Sequence, residues 1–156
     1  MRNIKNKILI FALSSILLGC SQSATSVFDI DPIYGQNVQY SKVIKSIKDE
    51  NVNAIFNITY LNSVDSSKWD NGTQNFVIGT YTFDNNASDF QLTMNNKSKL
   101  SSTEVLKTDP LYKNIAFRNN WATYHIVTFE NDTNTRLTLK YVHPEFNAIQ
   151  TTFEKE

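Results

Sequence analysis

Apolar side chains recur at every second position along most of this chain, and that period constrains the fold more than any other feature. Successive side chains of an extended strand point to opposite faces, so a period of two predicts strands with one buried side. In Asn53–Leu61, Phe56, Ile58 and Tyr60 alternate with Asn57 and Thr59. Phe76–Phe83 is dense in β-branched and aromatic residues and ends at the turn cluster Asp84-Asn85-Asn86. Phe90, Leu92 and Met94 alternate with Gln91 and Thr93, a strand with one wet face. Trp121–Phe129, the turn residues 130–134 and Arg136–Val142 together predict a β-hairpin, with Trp121 in the core. His143-Pro144 ends its second arm, because proline donates nothing to a ladder, and Ala148–Phe153 supplies a last strand.

Two segments are ambiguous in period. Val38–Ile47 places Tyr40, Val43, Ile44 and Ile47 at helical spacing but is rich in β-branched residues, and its position ahead of a run of strands makes it a first strand. Ser101-Ser102-Thr103-Glu104 has the form of a capping box and predicts a short helix before Asp109-Pro110. The sum is about seven strands and no alternating long helices, an all-β antiparallel sandwich or barrel. The loops 62–75 and 96–120 are the places where binding would sit.

The N terminus follows another pattern. Arg2, Lys5 and Lys7 precede Ile8–Leu18, which is apolar apart from two serines. A basic start and an apolar run of this length predict a secretory signal, too short to span a bilayer. The signal closes on Leu17-Leu18-Gly19-Cys20, which resembles the lipobox of bacterial lipoproteins. That resemblance implies removal of residues 1–19 and a diacylglyceryl thioether on Cys20. Each buried methylene contributes about 0.8 kcal/mol and one acyl chain holds only marginally, so the two or three chains of a mature lipoprotein anchor firmly. Ser21 follows the lipidated position, which in enteric bacteria directs delivery to the outer membrane. Residues 21–27 are small and polar, the composition of a flexible tether; 20–36 are then the lipidated cysteine and tether, and 37–156 the sandwich domain.

Without the signal, the 15 acidic residues outnumber the remaining 12 bases and leave a net charge of −3. A mildly acidic chain with no basic stripe argues against nucleic acid. Cys20 is the sole cysteine, so once it is lipidated no disulfide can brace the domain and its apolar core must hold it alone.

Candidate chemistry is sparse. His125 and His143 are the only histidines; with Glu145 beyond Pro144 they make a loose set for zinc, and a hydrogen-bonded strand histidine is the simpler account of His125. No serine lies in a Gly-x-Ser-x-Gly elbow, and four glycines leave little material for an oxyanion loop. Asp65 and Asp70 share a loop, as solvated carboxylates commonly do. Residues 130–134 offer oxygens to calcium but lack the EF-hand frame. No catalytic residue, metal or cofactor is expected. Trp69 stands in a polar loop, either as an exposed binding residue or folded back as a plug over one end of the sandwich. Asp84-Asn85-Asn86-Ala87-Ser88 matches the acidic sequon of bacterial N-linked glycosylation at Asn86, and a plain turn accounts for the same residues.

The segment Val38–Lys155 resembles the small immunoglobulin-like β-sandwiches of bacterial envelope lipoproteins. The likeness rests on the runs 57–62, 121–127 and 137–144 (Asn-Ile-Thr-Tyr-Leu-Asn, Trp-Ala-Thr-Tyr-His-Ile-Val and Leu-Thr-Leu-Lys-Tyr-Val-His-Pro). The paired cysteines and intervening tryptophan of antibody domains are missing. The resemblance implies a lipid-anchored envelope protein facing the periplasm or the cell surface, and it leaves the activity open. A non-catalytic module that binds an envelope protein or aids assembly is the first expectation. A surface adhesin recognising a host or glycan ligand is the second, and a small hydrolase using a histidine and a carboxylate the third.

Overall fold

The computed structural model describes residues 32–83 and 90–155. Cys20 and Asn86, the expected lipidation and glycosylation positions, lie outside these residues, as do the signal segment and the start of the tether. The described chain opens with helix α1 (Pro32–Gln39), which takes in residues 32–36 of the stretch assigned above to the tether. Among the described residues nine strands follow: β1 (Ser41–Lys48), β2 (Asn51–Tyr60), β3 (Thr73–Thr82), β4 (Gln91–Met94), β5 (Lys97–Ser98), β6 (Ser101–Glu104), β7 (Thr123–Glu130), β8 (Arg136–Val142) and β9 (Ile149–Glu154). Short helices α2 (Leu61–Val64) and α3 (Ser66–Trp69) link β2 to β3, and α4 (Pro110–Asn114) lies between β6 and β7.

Every strand pair is antiparallel. One sheet has the order β1-β2-β3-β7-β6 and the other β5-β4-β8-β9, and the two form an all-β sandwich. Two-residue turns close the β1–β2 and β4–β5 hairpins, at Asp49-Glu50 (φ 49° and 66°) and Asn95-Asn96 (φ 48° and 65°). Positive φ at both central residues gives the turn a twist that matches the right-handed twist of its strands.

The period of two decides which residues meet between the sheets. Ala54, Phe56, Ile58 and Tyr60 of β2, Phe76 and Ile78 of β3, and Val127 and Phe129 of β7 face Met94, Leu137, Leu139, Tyr141 and Phe153 across one continuous core. Along one side Lys42 closes the gap, its ammonium donating to the Thr152 carbonyl and lying 5.2 Å from the Phe153 ring centroid. The outer face of the five-stranded sheet is also covered. There Leu61, Val77 and Tyr124 pack under Val105, Tyr112 and Ile115, with Trp69 against the same cluster. The middle strands are thus buried on both faces, and this is why β2 and β3 carry β-branched and aromatic residues on both sides.

Two asparagines beside that outer face are tied in by the covering loops, as most buried polar groups are. Asn62 donates to the carbonyls of Trp69 (3.2 Å) and Thr73 (2.8 Å), and its oxygen accepts the Asn75 N–H (2.8 Å). The Asn75 side chain donates to the Trp69 carbonyl (2.9 Å) and accepts from Thr128 (3.0 Å). These two asparagines staple α2 and α3 to the sheet.

Three expectations are corrected. Trp121–Val142 is not a hairpin, because β7 and β8 belong to different sheets. Each buries its apolar side against the same core from opposite directions, so residues 131–135 form an arch over the end of the sandwich. Asp132 is buried in that arch and accepts the Asn134 N–H at 2.9 Å. Ser101–Glu104 is the edge strand β6, since pairing with β7 satisfies its backbone and no helical apolar run follows it. The nearby helix begins instead at Pro110, with Asp109 as its N-cap accepting the Leu111 N–H at 2.7 Å. Trp121 is not in the core: it is 80% exposed.

Candidate functional site

The inner face of the five-stranded sheet changes character along its length. At one end the cross-strand row is Tyr60, Phe76 and Val127. Two rows on, Phe56 is followed by Thr80 and Thr123, and between these rows Ile58 and Ile78 are followed by His125. Ser102 of β6 continues the same face beside Val127. Positions that should meet the opposite sheet with apolar side chains here carry hydroxyls and an imidazole, and the sheets part. The result is a cleft of about 470 Å³ with Phe56, Ile78, Val127 and Tyr141 as its floor and Phe90 and Leu92 as its facing wall. That volume is within the range of small-molecule sites.

Its polar side chains are unengaged. Thr80, Thr82, Ser102, Thr123 and His125 form no side-chain hydrogen bond to other described residues. The Tyr141 hydroxyl, on a residue only 3% exposed, also has no hydrogen-bond partner among the described residues, and burial raises its pKa well above that of an ordinary phenol. It therefore stays a neutral donor at the bottom of the cleft.

Aromatic rings rim the mouth. Tyr81 lies 4.8 Å from Phe83 and 6.5 Å from Trp121, centroid to centroid, and Phe83 and Trp121 are both largely exposed. Trp121 is held there by a chain of contacts that begins on the outer face. Gly79 has no side chain because the Tyr124 ring lies directly over it, and a Cβ would overlap that ring. The Tyr124 hydroxyl accepts the Asn119 N–H at 2.7 Å, and the Asn119 side chain accepts the Trp121 N–H at 2.9 Å. A buried tyrosine thus fixes the turn that carries an exposed tryptophan.

The other residues singled out in the sequence lie elsewhere. Trp69 is half-buried against the cluster on the outer face of the five-stranded sheet, with the Lys68 ammonium 5.0 Å from its ring centroid. His125 lines the cleft, whereas His143 follows β8 of the other sheet. His143 is buried between Phe90 (4.6 Å) and Phe146 (4.4 Å), and its Nδ1 accepts the Glu145 N–H at 3.1 Å. Among the described residues no group of three or more histidines, cysteines and carboxylates is placed to hold a metal ion. Asp65 caps α3, accepting the Lys68 N–H at 3.3 Å, and Asp70 follows that helix. Sequence reasoning missed Trp121 and the threonines. The available signal was parity: Thr123 and His125 share a face with Val127 and Phe129, so one apolar stripe begins with two polar residues.

Comparison of this chain with protein-family models, with curated proteins and with solved structures finds no match.

Proposed function

We propose that this protein is a lipid-anchored, non-catalytic binding module of a bacterial envelope, held at the outer membrane through Cys20, with an immunoglobulin-like sandwich as its recognition domain. The observation that carries the binding role is the pair of exposed aromatic rings Trp121 and Phe83, with half-buried Tyr81 between them, at the mouth of an open cleft. Exposed aromatics fixed by buried neighbours are typical binding hot spots, because they lose little entropy when covered. Support for the immunoglobulin-like reading is the path of the chain, which changes sheet at the β3–β4, β5–β6 and β7–β8 connections. A non-catalytic role is favoured because His125 hydrogen-bonds to no serine, threonine or carboxylate among the described residues, so a base-activated nucleophile is not assembled there.

The partner is either an envelope protein or, in the adhesin reading, a host or glycan ligand. The unengaged hydroxyls of the cleft suit a glycan, whether an envelope component or a host carries it. Two experiments test the proposal. Labelled palmitate and membrane fractionation should show an acylated, membrane-bound protein that becomes unlabelled and soluble in Cys20→Ala; a variant that stays in the membrane removes the anchor from the account. Photo-crosslinking from Thr82, beside the cleft mouth, should yield an envelope adduct in cells that disappears in Trp121→Ala. An unchanged adduct in that variant would place the contact surface elsewhere.

A further inference from the structure

We infer that the inter-sheet cleft beneath Trp121 binds a saccharide, with one sugar ring stacked on the indole and its hydroxyl edge turned toward Thr80, Thr123 and His125. The inference rests on the binding role proposed above and gives it a ligand class. A pyranose has a face of C–H bonds and an edge of hydroxyls, so it needs a flat aromatic surface and a set of donors and acceptors side by side. The cleft supplies both. The indole of Trp121 is 80% exposed, leaving area for a ring to cover. Thr80 and Thr123 are direct cross-strand partners on β3 and β7, and His125 is two residues along the same face. None of the three has a side-chain partner among the described residues. Deeper in, the buried Tyr141 hydroxyl lacks an acceptor.

An acyl chain is the competing occupant, since the floor is apolar. It would leave every one of these polar groups desolvated and unpaired, which burial penalises. A purely apolar ligand would be better served by valine at 80 and 123, residues of the same shape and higher strand preference. Here threonine stands at both.

That contrast sets the test. The soluble domain (residues 28–156) is titrated with methyl glycosides of glucose, galactose, N-acetylglucosamine and N-acetylneuraminic acid, and separately with laurate, reading tryptophan fluorescence. At least one glycoside should give a saturable change. The affinity, read by calorimetry because this variant lacks the reporting indole, should weaken about tenfold or more in Trp121→Ala. It should also weaken severalfold in the double variant Thr80→Val/Thr123→Val, with an unchanged circular dichroism spectrum confirming the fold. Saturation by laurate alone, strengthened in the valine variant, would overturn the saccharide and assign the cleft to acyl chains. No saturable change with any probe would also overturn it. In both cases the Thr82 crosslink in cells decides separately whether the binding role survives.

Discussion

Two groups of polar residues at the five-stranded sheet, one associated with each face, are treated in opposite ways. On the outer face Asn62 and Asn75 use their side-chain donors and acceptors on α2, α3 and neighbouring strands, so that little remains to offer a ligand. On the inner face Thr80, Thr123 and His125 use none of theirs within the described protein. The same contrast separates the tryptophans: Trp69 is folded against the outer cluster and its carbonyl is taken by both asparagines, whereas Trp121 stands in solvent. A polar side chain that is satisfied internally holds the fold. One that no described protein group engages, on the wall of a cleft, is available to something else.

Four substitutions break or sharpen this comparison, from the largest effect to the smallest. Gly79→Ala should cost about 3 kcal/mol, because its methyl has nowhere to go beneath Tyr124, and it should also disturb the turn that presents Trp121. Urea denaturation would measure the loss and fluorescence would report the displaced indole. Asn62→Ala should cost about 2 kcal/mol, since it strands the buried Asn75 N–H and removes one donor from each of the Trp69 and Thr73 carbonyls; stability within about 0.5 kcal/mol of wild type would show that the outer face is not stapled as described.

Asp132 tests the arch that carries the chain from one sheet to the other. Its carboxylate is held below its usual pKa of 3.8 by the Asn134 N–H, with help from the Asn95 side chain and the Lys97 ammonium 3.5 Å away. A lowered folded pKa means that this stability is present above the ordinary carboxylate range and is lost as pH falls through the lower folded value. Asp132→Asn should therefore cost about 1 kcal/mol at neutral pH, and the cost should shrink in acid. Denaturation midpoints at pH 7 and pH 3 check the sign; an equal deficit at both would contradict it. Last, Thr80→Val/Thr123→Val should change stability by less than about 0.5 kcal/mol, because no protein bond is lost. A large loss in thermal melts would mean that these hydroxyls are structural after all.

Much of the sandwich was legible in the sequence because alternation directly encodes burial on one face. Phe56, Ile58 and Tyr60, and Leu137, Leu139 and Tyr141, lie on the core side as their spacing predicts. The joining of strands was less legible. A turn-rich segment between two alternating runs is compatible with a hairpin or with an arch between sheets, and only the shared core behind β7 and β8 selects the arch. Trp121 was misplaced for a related reason. A tryptophan at the head of a strand is expected in the core, but Asn119 ends the preceding loop in a turn that projects the ring outward, and that turn depends on Tyr124, which binds it from the far side of the sheet. The cleft itself was out of reach of local patterns, since its walls come from β3, β4, β6, β7 and β8.

The most direct test of the unpaired inner face as the binding surface is chemical-shift mapping of the labelled domain with the glycoside that saturates the fluorescence change. The account predicts perturbations at the Trp121 indole, Thr80, Thr123 and His125, with the amide groups of Asn62 and Asn75 unmoved. Perturbations centred on Trp69 and the asparagine staples, with the cleft silent, would contradict it.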